Sequence, residues 1–160
     1  SLKASSFFFF YKINNFSFCV FFLNSPNIFF YFIYYFCDMI LLTTLINAII
    51  ALTLLNVWLF RFNKKTLYRG GDANSMTEEF SVYGLPLWFM YFIGLLKIIL
   101  ASLLIIGIWV YELNMYSYIV LSILMIGAII MHFKVNDPII KSAPALSLLT
   151  LLLALLGINL

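Results

Sequence analysis

The run Pro86 to Val110, PLWFMYFIGLLKIILASLLIIGIWV, holds 25 residues and a single charge, Lys97, near its middle. At about 1.5 Å of rise per residue, roughly twenty apolar residues cross the roughly 30 Å hydrocarbon core of a bilayer as one helix. Hydrocarbon offers no partner to backbone N–H and C=O groups, so the segment must satisfy them itself, and the helix is the solution. A lone ammonium at mid-depth costs about 2.5–3.5 kcal/mol on insertion scales. Any fold of this chain has to make Lys97 tolerable.

The composition points the same way. Hydrophobic residues make up 65% of the chain and charged residues 9%, against about 25% charged in a soluble domain. Such a chain cannot cover a soluble globule with polar surface. The net charge of +3 is spread over scattered basic residues, which argues against a nucleic-acid-binding patch. The two cysteines, Cys19 and Cys37, form no CxxC motif, and residues 39–160 have no thiol. Dithiol chemistry and cysteine-ligated metal sites are excluded there. One histidine, His132, rules out bis-histidine haem ligation within a subunit. No metal-ligating set is expected.

Residues 1–38 differ in kind from the rest. They hold 12 of the 18 phenylalanines, have no glycine, and precede the first methionine, Met39. One reading is an extra span or anchor interrupted at Asn24-Ser25-Pro26-Asn27. The other is that Met39 is the natural start and residues 1–38 are not part of the natural protein. A signal peptide fits poorly, because the cleavage region lacks small residues and the apolar part is aromatic.

From Met39 four spans follow, at about Ile40–Phe60, Pro86–Val110, Met115–Phe133 and Pro138 or Ser142 to Leu160. The first ends at Trp58 and a collar of Arg61, Lys64 and Lys65. In the polar segment that follows, Tyr68-Arg69-Gly70-Gly71-Asp72 reads as a turn. Ser75 and Glu78 offer a capping box for a short helix at the membrane surface. The later connections are short, which forces antiparallel neighbours. The expected fold is therefore all-α: an antiparallel four-helix transmembrane bundle with a surface helix between spans one and two. Arg61, Lys64, Lys65, Arg69, Lys134 and Lys141 lie in the first and third connections, and none lies in the second. Loops 61–84 and 133–141 are accordingly expected to be cytoplasmic.

Helices in lipid pack through small and polar residues. Thr44, Asn47 and Ala51 form such a stripe on span one, and Gly94, Lys97 and Ala101 on span two. Gly127 and Ala128 serve span three, and Ala143, Ser147, Thr150, Ala154 and Gly157 serve span four. Trp58, Trp88 and Trp109 read as belt anchors at the interface.

The order of several short motifs resembles the DoxX-like family of small four-helix membrane proteins. They are Tyr83-Gly84-Leu85-Pro86, Gly94-Leu95-Leu96-Lys97, Leu103-Leu104-Ile105-Ile106-Gly107, the run Met125 to His132, and Asp137-Pro138. The resemblance covers roughly Leu41 to Leu160. Many relatives carry Glu where this chain has Lys97, and a branch has Lys. Some members are subunits of a thiosulfate:quinone oxidoreductase, others act in membrane oxidoreductase complexes or as assembly chaperones. The resemblance implies the fold and supplies no redox ligand set; the expected location is a bacterial cytoplasmic membrane.

The candidate ligand- or partner-binding residues are Lys97, Asn47, His132, Glu78 and Glu79; no catalytic residue is assigned. Lys97 is either a functional cation toward an anionic or quinone headgroup or a partner subunit, or a lysine that pairs with Asn47, a tyrosine hydroxyl or a helix carbonyl or snorkels to an interface. Glu78 and Glu79 reach it only if the surface helix folds down. Their plainer role is to favour that helix's N-terminus. His132 can bond a quinone carbonyl or move a proton, or simply cap its helix's carbonyls. Asp137 is expected to cap the fourth span. The function expected is an integral membrane accessory or subunit protein, with lipid and a membrane-protein complex as partners and no evident cofactor. The alternatives are a quinone-interacting oxidoreductase subunit and a small transporter with Lys97 in an anion path. Whether the chain is an enzyme stays open, with the balance against it.

Overall fold

The computed structural model describes the backbone at residues 8–13, 16–21 and 26–159, and side chains at Tyr35 and from Asp38 to Asn159. Contacts divide the chain into two units, residues 1–42 and 43–160. In the first, β1 (Phe8–Ile13) pairs antiparallel with β2 (Phe16–Phe21), Phe8 opposite Phe21 and Ile13 opposite Phe16. This hairpin was not anticipated, although its Phe, Tyr and Val content favours a pleated surface.

The described residues from Pro26 onward form helices, as expected. α1 covers Pro26–Leu55 and so starts well before Ile40. Pro26 suits a first turn, where a missing N–H has no partner in any case. One wide turn, Asn56–Phe60, ends it, with the Arg61 N–H reaching back to the Asn56 carbonyl at 3.0 Å. α2 is Met76–Val82, α3 Leu87–Ile106, α4 Glu112–Lys134 and α5 Ile139–Asn159. Among the described residues, four segments are long and apolar enough to cross a membrane: Asp38–Phe60 and the whole of α3, α4 and α5.

The apolar run of the second span continues to Val110, but α3 stops at Ile106. The chain turns there because Gly107 leaves room for Asn114, whose Nδ2 donates to the Gly107 carbonyl at 2.9 Å. A Cβ on Gly107 would lie 1.8 Å from Asn114 Oδ1.

The core of the second unit joins Ile50, Ala51 and Leu54 of α1 with Leu100, Ala101 and Leu104 of α3. Tyr118, Leu121 and Met125 of α4 and Leu148, Leu152 and Leu155 of α5 complete it. The small-residue stripes of α1 and α3 face inward as expected: Asn47, Ala51, Gly94 and Ala101 are all buried. Those of α4 and α5 do not. Gly127, Ser147, Thr150, Ala154 and Gly157 are exposed, and α5 buries leucines instead. Lipid is as apolar as leucine, so an all-leucine helix has no solvation reason to turn its small face inward.

A second cluster lies at one end of the bundle, where Trp58, Met76, Phe80 and Met90 pack together. α2 therefore folds down onto the ends of α1 and α3 instead of lying loose on the surface. Trp58 is only 7% exposed, which corrects its reading as a belt anchor. Its ring fills the gap left by Gly94, where a Cβ would come within 2.5 Å of it. Trp88 and Trp109 are exposed, as belt residues should be.

Candidate functional site

Three polar segments meet at the end of the bundle covered by α2: the connection before α2, the turn into α3, and the turn between α4 and α5. Their local structure follows from caps. Ser75 accepts the Glu78 N–H at 3.2 Å and starts α2. Glu78 reaches back to the Asn74 N–H at 2.7 Å, one residue before the partner a standard capping box uses. α2 ends with Gly84 in the left-handed region (φ 73°), and the Leu85 N–H bonds the Phe80 carbonyl at 2.9 Å. This is a Schellman closure, which glycine adopts without strain. It leaves Tyr83 directed back along α2.

α4 ends the same way. Asn136 takes φ 55°, and the Asp137 N–H returns to the His132 carbonyl at 3.0 Å. The reversal sets the Asp137 carboxylate against the ring of His132 on the same helix, Oδ2 to Nδ1 2.8 Å. Asp137 also accepts the Gly71 N–H at 3.0 Å and Lys141 Nζ at 3.1 Å. Lys141 further donates to the Gly71 carbonyl. The sequence suggested Asp137 as the cap of α5; among the described residues its oxygens accept no backbone N–H of α5 and instead bind the preceding helix, a distant loop and the Lys141 side chain in the first turn of α5. Burial works to raise its pKa, but the bonds from His132, Lys141 and Gly71 and the charge of Lys141 outweigh it and lower it.

Arg69 organises the other half. It is 5% exposed and ion-pairs with Glu79 Oε2 at 2.7 Å. Its other N–H groups donate to the carbonyls of Arg61 (2.7 Å), Phe62 (3.0 Å) and Lys64 (3.2 Å) and to Met76 Sδ (3.3 Å). Glu79 Oε1 accepts the Gly70 N–H and the Tyr83 hydroxyl, both at 3.0 Å. Tyr83 lies so close to Gly70 that a Cβ there would meet the phenol oxygen at 2.3 Å. Gly71 has φ 55°. Each glycine of the pair has its own reason to be there.

Tyr83 Oη links the halves, 3.3 Å from His132 Nδ1 and 3.4 Å from Nε2. Its single proton goes to Glu79, so its oxygen faces His132 as an acceptor. Asp137 is an acceptor as well. With Nδ1 given to Asp137, Nε2 is left for Tyr83. Burial, then the charge and hydrogen bond of Glu79, push the Tyr83 hydroxyl far above the usual phenol range. Lys134 Nζ closes the cluster from outside on the Tyr83 carbonyl at 2.9 Å.

Of the residues singled out in the sequence, Glu79 and His132 meet in this cluster. His132 does not cap its helix; it pairs with Asp137. Glu78 is exposed and holds the start of α2. Lys97 is half-buried within α3, its Nζ 5.5 Å from the centroid of the Trp58 ring. That distance suits a cation–π contact. α2 folds down, but the Glu79 oxygens go to Arg69, Gly70 and Tyr83. Asn47 is not its partner: Asn47 Oδ1 accepts the Tyr118 hydroxyl at 2.9 Å in the middle of the bundle. Arg69, Tyr83, Asp137 and Lys141 were not anticipated as site residues. The signals were Gly70-Gly71, Tyr83-Gly84 and Asp137-Pro138, which read as turns and motifs but not as ligands of one another.

The DoxX-like family model matches residues 65–156, more than half of the chain, from the basic connection to the last turns of α5. The chain belongs to the DoxX-like family. The matched region contains the whole ion network from Arg69 to Lys141, and Lys97 with it; Asn47 and Trp58 lie before it. No curated protein and no solved structure matches the chain.

Proposed function

We propose that this DoxX-like membrane protein is an accessory or subunit protein of a membrane complex, without catalysis of its own. It sits in a bacterial cytoplasmic membrane with loops 61–84 and 133–141 in the cytoplasm. The observation that carries this reading is the closure of the ion network. Arg69, Glu79, Tyr83, His132, Asp137 and Lys141 bond one another and the backbone, so these groups act as a clamp that joins two loops to α2. A clamp gives a rigid polar face for a neighbouring subunit. The basic residues of the first and third connections support the orientation.

Lys97 supports a second reading, a quinone-interacting subunit. An ammonium over an indole face inside a span can hold a quinone carbonyl and stack its ring. Purification in a gentle detergent, with mass spectrometry of everything retained, separates the two. A protein partner in fixed stoichiometry is the expected result. A retained quinone without a partner, lost in Lys97→Met, overturns the first reading in favour of the second.

A further inference from the structure

The connection after the first span carries three exposed cations, Arg61, Lys64 and Lys65. Among the described residues none of them is in an ion pair. The carboxylates on this face are engaged elsewhere: Glu79 with Arg69, Asp137 with His132 and Lys141, and Glu78 with Asn74. Asp72 and Glu78 are exposed, and since Asn74 is neutral they leave two negative charges against three positive ones.

The shape of this stretch is fixed from within. Arg69 draws the carbonyls of Arg61, Phe62 and Lys64 onto its buried guanidinium. The backbone is thereby held with those oxygens turned inward, while the side chains of Arg61, Lys64 and Lys65 remain outside. A second tie, from the Met76 N–H to the Phe62 carbonyl at 3.0 Å, fastens the stretch to the start of α2. Exposed apolar groups flank the cations: Phe60 before them, and Leu67, 86% exposed, with Tyr68 after them. Phe60 ends the first span, so all of this lies at headgroup depth.

We infer that Arg61, Lys64 and Lys65 form a binding surface for anionic phospholipid headgroups, with its shape set by Arg69. Phosphate complements the three cations, and the acyl boundary accepts Phe60, Leu67 and Tyr68. A soluble acidic partner would match the charge but leave those apolar groups in water.

The test uses the full chain with Cys19→Ser, Cys37→Ser and a bimane label on Leu67→Cys. It is reconstituted in phosphatidylcholine vesicles containing an equal minor fraction of brominated phosphatidylglycerol or brominated phosphatidylcholine. Phosphatidylglycerol is expected to quench at least about fivefold more effectively, the factor that about 1 kcal/mol per surface cation corresponds to. Arg61→Gln, Lys64→Gln and Lys65→Gln together should bring the two lipids to equality. Arg69→Lys keeps every cation but cannot span the three carbonyls, and it should also lower the preference. Equal quenching in the parent, or an undiminished preference in the triple variant, overturns the inference. If Arg69→Lys does not insert, the triple variant still decides. An undiminished preference in an inserted Arg69→Lys protein overturns the role given to Arg69.

Discussion

The two ends of the bundle solve the same problem, reversing the chain between spans, with different chemistry. Between α3 and α4 a single buried amide does it: Asn114 bonds the Gly107 carbonyl, with Trp109 and Tyr111 exposed beside it. At the opposite end, two arginine- and lysine-bearing connections and α2 are drawn together by a buried chain from Arg69 through Glu79, Tyr83 and His132 to Asp137 and Lys141. Reversal alone needs only the first solution. The additional chemistry at the second end fixes one loop against another that is distant in sequence, as in the bond from Gly71 to Asp137.

The largest effect should come from removing the acceptor at the centre of that chain. Glu79→Ala leaves Arg69, the Gly70 N–H and the Tyr83 hydroxyl without their carboxylate. Breaking a buried pair from one side costs about 3–5 kcal/mol. Asn114→Ala at the other end removes one hydrogen bond, worth about 0.5–1.5 kcal/mol. Equilibrium unfolding of both variants in the same detergent measures the contrast directly. Equal costs would mean that the ion network contributes no more than an ordinary turn.

Acid and alkali should act on the same end, from opposite directions. Asp137 has its pKa lowered from the ordinary 3.8, so its contribution is complete above that value and is lost as the pH falls through its lower folded value. Tyr83 has its pKa raised from 10.0. Its contribution is complete below pH 10 and is lost as the pH climbs toward the folded value, because the unfolded phenol ionises first. Thermal unfolding across pH should therefore show a plateau with two edges. Asp137→Asn should blunt the acid edge and Tyr83→Phe the alkaline one, each leaving the other in place.

The contrast between the ends also separates what was legible in the sequence from what was not. Span number, the inward stripes of α1 and α3, and the Ser75 cap all follow from hydropathy and short-range spacing. Arg69 could not be picked out, because Arg61, Lys64 and Lys65 nearby are equally basic and only the fold decides which cation is buried. Trp58 sits where a belt residue belongs and is drawn inward by Gly94, a contact between different spans. The buried face of α5 departs from its small-residue stripe because small residues signal packing only when something else fixes which side is inside. Glycine pairs and residues just beyond helix ends were the useful clues to the cluster, since each marks a place where backbone and side chain are forced close.

In the middle of the bundle, between the two ends, the bond from Tyr118 to Asn47 joins α4 to α1. Tyr118→Phe removes it without changing the ring. Such bonds within a membrane average about 0.6 kcal/mol and reach about 1.7 kcal/mol. A loss near the average would place the energetic weight of the fold at the clamp. A loss comparable to that of Glu79→Ala would place it at mid-depth.

The smallest effect is expected on the outward face of α4. Gly127 is exposed, and a Cβ there meets nothing within 4 Å. Gly127→Ala should stabilise the isolated protein by up to about 1 kcal/mol through helix propensity alone. Gly94→Ala is the matched control, because its Cβ would strike Trp58 and overpacking of this kind costs about 1–3 kcal/mol. The two substitutions are chemically identical and should have opposite signs in unfolding measurements. Destabilisation by Gly127→Ala would mean that α4 turns its small face inward after all, and that the burial of Met125 and Ile129 on its other side is not what orients the helix.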